Sequence, residues 1–151
     1  MNTKYLSTDR PLVIPALETL YERLAPLAFT WLRVMCGLAL VVHGWPKITN
    51  PLGSADMVAG IGFQPAAFWS VALAVTEFGG GLLIILGLLT RLAAAGCTIV
   101  LLVTVYFHWV QLGQGYSGAE LSLIWSSVTL YLVAVGGGRL SLDRALLPRN
   151  L

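Results

Sequence analysis

Arg33 and Glu77 interrupt two of the most apolar stretches of the chain, Leu24–Val42 (LAPLAFTWLRVMCGLALVV) and Ala66–Leu89 (AAFWSVALAVTEFGGGLLIILGLL). A charged side chain in the middle of a bilayer is expensive, so each of them calls for a partner. Arg33 lies ten residues before His43 and Glu77 eleven residues after Ala66, roughly 15 and 16 Å of helical rise from one membrane surface. Equal depth predicts a buried Arg33–Glu77 ion pair. Such a pair has three uses: a tie that fixes helix register, a proton-accepting carboxylate, or a guanidinium that anchors a polar ligand head.

A second group gathers at the ends of the apolar runs. His43 and Lys47 close the first run through HGWPK, His108 closes the third and Glu120 opens the fourth. All four belong to one membrane surface, and Tyr131 and Ser127 share the Glu120 face of the last run. Imidazoles beside a carboxylate titrate near neutrality and can exchange protons with a quinone or another small redox substrate. The candidate ligand-binding set is therefore His43, Lys47, His108, Glu120 and Tyr131. Two sharper readings exist: a two-His, one-carboxylate metal site, or haem held between His43 and His108. Each His ends a span beside Trp, where interfacial hydrogen bonding is the ordinary role. The expectation is thus no metal and no haem.

The elements that must position these groups follow from composition. Hydrophobic residues make up 57% of the 151 and charged residues 11%, with a mean hydropathy of +0.80. A soluble domain carries about twice that share of charge. The net charge of +2, without any basic cluster, speaks against nucleic acid. Runs of about 20 apolar residues match a hydrocarbon core of about 30 Å. The expected architecture is all-α: an integral membrane, up-down four-helix bundle. Its spans are placed at 24–43, 66–89, 92–110 and 119–135 within a domain of 24–138. A tail of 1–23, with a short interfacial helix over Pro15–Arg23, precedes it, and a tail of 139–151 follows. Residues 1–23 lack the long apolar core of a cleavable signal.

Orientation comes from counting cations. Lys4, Arg10, Arg23, Arg91, Arg139, Arg144 and Arg149 fall on one side and Lys47 alone on the other, which predicts cytoplasmic termini. Trp45, Trp69, Trp109 and Tyr116 suit an aromatic belt at the opposite surface. The remaining polar residues read as scaffold. Cys36 and Cys97 are isolated packing residues without a CxxC, so dithiol chemistry is not expected. Gly79-Gly80-Gly81 lies inside an apolar run and lacks the setting of a phosphate loop.

Several motifs in order carry a resemblance: Arg33 with Gly37, HGWPK from His43 to Lys47, Gly62-Phe63-x-Pro65, and Glu77-x-Gly79-Gly80. LGLLTR ending at Arg91, then His108, Glu120 and GGGRLSLD over 136–143 complete the set. Across residues 30–143 the chain resembles the DoxX family of small bacterial and archaeal membrane proteins, with Gly137 replacing the usual proline of the last turn. The resemblance implies a four-helix membrane fold and an association with redox metabolism. One related branch includes the membrane subunit of a thiosulfate:quinone oxidoreductase.

The function expected is that of a bacterial inner-membrane, redox-associated protein that binds a quinone-like lipophile or serves as the membrane subunit of an oxidoreductase complex. Its neighbours would be membrane lipid and a redox protein partner. Two alternatives belong to other classes: a non-catalytic accessory or assembly subunit, and a small-solute or proton pathway. The Gly, Leu and Ile residues between Glu77 and Arg91 argue against a wet pathway.

Overall fold

In the computed structural model, which describes residues 14–146, the described chain is helical, without strands, and four helices are long and apolar enough to cross a membrane. Helix α1 spans Glu18–Thr49, the short α2 Ala55–Gly60, α3 Ala66–Leu86 and α4 Thr90–Tyr106. A π-helical turn over Phe107–Gln111 extends α4, α5 spans Gly115–Val135 and α6 Leu142–Leu146. The long helices run antiparallel in the cyclic order α1, α3, α4, α5, so α1 and α4 stand on a diagonal. The all-α membrane bundle expected from composition is the observed fold.

The first helix departs from expectation at both ends. A 3₁₀ turn over Pro15–Leu17 runs straight into α1, so no separate interfacial helix stands over 15–23. At the other end, α1 does not stop at His43 but continues through Pro46 to Thr49. A proline near a helix end forfeits one backbone bond to the carbonyl four residues earlier without ending the helix. The chain then turns through α2 and enters α3 after Pro65, with Ser70 Oγ donating to the Pro51 carbonyl at 2.6 Å. Lys4, Arg10 and Arg149, used in the charge count, lie outside the described residues.

Helices α1 and α3 meet backbone to backbone. A Cβ on Gly37 would lie 2.7 Å from the Gly81 carbonyl oxygen and 2.7 Å from Ile85 Cγ1. In lipid, where apolar burial gives little drive, such close packing of small residues is what holds helices together. On the other side of the bundle, Thr98 Oγ1 donates to Thr129 Oγ1 at 2.8 Å and ties α4 to α5. The core between them holds Cys36, Leu40, Ile84, Ala94, Cys97 and Leu132.

Candidate functional site

The Gly37–Gly81 register decides which charges meet. It places Arg33 beside Ile84 and Ile85, at the end of α3, and Lys47 beside Glu77. The expected Arg33–Glu77 pair is therefore not formed. Glu77 and Ile85 are eight residues apart, roughly 12 Å along the helix. Arg33 and Glu77 do not share a depth, because α1 continues six residues beyond His43.

Glu77 is 6% exposed, and its Oε2 accepts a short hydrogen bond from Lys47 Nζ. That ammonium also donates to the His43 carbonyl at 3.3 Å, and its side chain is 27% exposed. The pair thus joins a sequestered carboxylate to a cation that reaches the surface at the α2 end of the bundle. A buried carboxylate tolerates lipid only when so paired.

Arg33, 2% exposed, spends its fork on backbone carbonyls. Nη1 donates to the oxygens of Ile84 at 2.8 Å and Ile85 at 2.9 Å, and Nη2 to Leu140 at 2.7 Å. The carbonyls that end α3 have no partner within their helix and carry its negative dipole end, so a guanidinium suits them. Gly87, at φ +67°, is required here because a Cβ would collide with Arg33 Nη1.

Sequence reasoning missed the counterpart of Arg33 at this end. Asp143 accepts hydrogen bonds from Leu89 N at 2.6 Å, Thr90 N at 2.9 Å and Thr90 Oγ1 at 2.6 Å, while its own N–H donates to the Gly87 carbonyl at 2.8 Å. It caps α4 from the far end of the chain, as a carboxylate at a helix N-terminus should. Leu89, left-handed at φ +47°, is held by this cap. The only signal was Asp143 closing GGGRLSLD, and it did not reveal the partner.

The remaining candidates do not converge. His43 is exposed on α1, and its diagonal placement separates it from the turn that carries His108. His108 Nδ1 pairs with the Gln114 side-chain amide, 2.8 Å from its Oε1. Glu120 is exposed on the second turn of α5. Tyr131 stacks edge-on against Phe29 at 6.1 Å, eleven residues from Glu120 and roughly 16 Å lower. It belongs to the Arg33 end, not beneath Glu120. Among the described residues no three His, Cys, Asp or Glu side chains gather to hold a metal, so the two-His, one-carboxylate grouping is not assembled.

A different feature offers room for a ligand. A cleft of about 230 Å³ opens between α3 and α4 under α2, walled by Ile61, Phe63, Trp69, Thr76, Gly96 and Val100 among others. Apart from the Thr76 hydroxyl and the Trp69 indole, its lining side chains are apolar. None of the sequence candidates lines it. Ala72 and Thr76, one turn apart, face Gly96 and Val100 across it, a pattern that means something only once the helix pairing is known.

The DoxX family model matches residues 28–109. A protein of Haemophilus influenzae (strain ATCC 51907 / DSM 11121 / KW20 / Rd) is 32% identical over 129 residues, covering 81% of this chain and 92% of that protein. The inner membrane protein YqjF of Escherichia coli (strain K12) is 29% identical over 116 residues, 76% of this chain and 88% of its own length. The putative oxidoreductase CatD of Bacillus subtilis (strain 168) is 28% identical over 113 residues, 74% and 81% respectively. No solved structure matches the chain.

Proposed function

The chain belongs to the DoxX family, and from that premise we propose that it takes a quinone-like lipophile into the cleft between α3 and α4 as the membrane component of a redox system. The observation that carries this reading is the cleft itself: apolar, set between two membrane helices, and furnished with few polar groups, as small-molecule sites are. A relative named a putative oxidoreductase supports the redox association. Side chains other than a dithiol are poor reversible electron carriers, so a protein partner or bound cofactor exchanges electrons with the lipophile. The protein is a multi-pass protein of the bacterial inner membrane, in keeping with its four apolar helices and relatives named inner membrane proteins. Arg23, Arg91, Arg139 and Arg144 gather at the Arg33 end, and the positive-inside rule supports reading that end as cytoplasmic and α2 as external.

Titrating the protein in lipid nanodiscs with a short-chain ubiquinone, read by Trp fluorescence, tests this. Binding should saturate, weaken at least tenfold in Ala72→Phe, which fills the cleft, and persist in His43→Ala and His108→Ala. Unaltered binding in Ala72→Phe removes the proposed site. The accessory-subunit reading rests on another observation: Arg33 and the Lys47–Glu77 pair both hold helices together. It expects Lys47→Met to reduce assembled protein in membranes without any ligand-binding defect.

A further inference from the structure

Threonines on membrane helices normally return their hydroxyl to the carbonyl one turn earlier. Thr30 and Thr104 do so at 2.7 and 2.9 Å, and Thr129, which accepts from Thr98, bonds the Ser126 carbonyl at 3.1 Å. Thr76 is the exception: among the described residues its hydroxyl makes no hydrogen bond, although its carbonyl accepts from Cys97 Sγ at 3.4 Å. Its methyl faces α4, since a Cβ on Gly96 would lie 3.1 Å from Thr76 Cγ2. The hydroxyl is not sealed in, because Arg33 Nε is the described side-chain atom that is buried without a partner. Thr76 is one of the residues that line the cleft.

An unpaired donor in hydrocarbon is costly, and of the other side chains lining the cleft only Trp69 carries a polar group, itself a donor. Thr76 stands ten residues into α3, roughly 15 Å from the helix start. Phospholipid ester carbonyls lie at the interface, and acyl tails carry no acceptor. A lipophile that brings its own oxygen to mid-depth supplies the acceptor that the lining side chains lack. An apolar cavity of about 150 Å³ takes up benzene, so the cleft of about 230 Å³ has room for a substituted or fused ring.

Resting on the cleft reading above, we propose that Thr76 is its specificity residue: its hydroxyl donates a hydrogen bond to a ring carbonyl of a quinone-type lipophile lodged head-down between α3 and α4. Trp69 and Phe63, edge to face at 5.2 Å, then flank the part of the ligand nearer α2. Any side chain that keeps a hydroxyl at 76 keeps the preference for the carbonyl, and an isosteric apolar one loses it.

The matched probes are 2-methyl-1,4-naphthoquinone and 2-methylnaphthalene, which share a ring frame and differ in the carbonyls, titrated against the full chain in nanodiscs. Thr76→Val should cut naphthoquinone affinity about tenfold, as loss of one neutral hydrogen bond does, and leave methylnaphthalene unchanged. Thr76→Ser should retain the naphthoquinone preference. The carbonyl stretch of the bound naphthoquinone, lowered by the hydrogen bond, should return toward its free value in Thr76→Val alone. Equal naphthoquinone affinity in wild type and Thr76→Val, with both probes lost in Ala72→Phe, overturns the role of Thr76 and leaves the cleft standing. Retention of both probes in Ala72→Phe overturns the cleft and this inference together. Thr76 makes no side-chain bond within the protein, so its valine variant folds, and its melting curve checks that.

Discussion

Lys47, in the last turn of α1, is the cation that neutralises Glu77 in the middle of α3, across the same helix pair in which Arg33 binds carbonyls at the opposite end. Lys47→Met strips the carboxylate of its partner and should destabilise the protein by roughly 3 kcal/mol, since removing one member of a buried pair leaves an uncompensated charge. Lys47→Met with Glu77→Leu should recover most of that loss. Unfolding in mixed micelles of the singles and the double measures it, and an additive double would mean that the two side chains do not interact.

Arg33 serves three carbonyls and a methionine at that position serves none, which leaves Ile84 with its bond from Gly87 N at 3.1 Å but takes the guanidinium from Ile85 and Leu140. Each buried acceptor left unpaired costs about 1–3 kcal/mol. Arg33→Met should therefore release the segment around Leu140, and trypsin should cut after Arg139 and Arg144, both exposed, at least several-fold faster than in the wild type. Arg33→Lys should rescue only partly, because an ammonium lacks the planar fork.

Asp143→Ala removes the cap of α4 and should cost about 2 kcal/mol. Hydrogen exchange localises the effect: the amides of Leu89 and Thr90 should lose protection while those in the middle of α5 keep theirs. Asp143→Asn, which keeps one acceptor oxygen, should fall between.

Gly37→Ala should destabilise by roughly 1–3 kcal/mol as the two backbones are driven apart. Gly79→Ala is the control, because a Cβ there meets nothing within 4 Å, and it should be neutral. Equal melting temperatures for both would show that the α1–α3 contact is looser than described.

Membrane orientation is open to direct test. Asn50→Cys should react with an impermeant maleimide on intact spheroplasts and Arg139→Cys only after lysis. Native Cys36 and Cys97 are fully buried and give no background. The reverse pattern would invert the topology.

The spans were legible because length and apolarity suffice to announce a membrane helix. Pairing between spans was not legible. It depends on where α1 ends: the apolar run closes at His43, whereas the helix continues through Pro46 to Thr49. That difference of six residues exchanged the partner of Glu77. Asp143 and Thr76 were hidden for another reason: their significance lies in contacts, a distant cap in one case and a missing bond in the other, and neither leaves a periodic trace.

The cap at the Arg33 end also has a temporal meaning. Residues 140–143 satisfy groups on helices that leave the ribosome much earlier, so Arg33 and the first turn of α4 stay incomplete until the last stretch of chain is made. A nascent chain halted after α5 already holds the four described membrane helices but lacks this clasp. Folding of this bundle is thus finished at the helix ends that gather around Arg33 rather than in its middle.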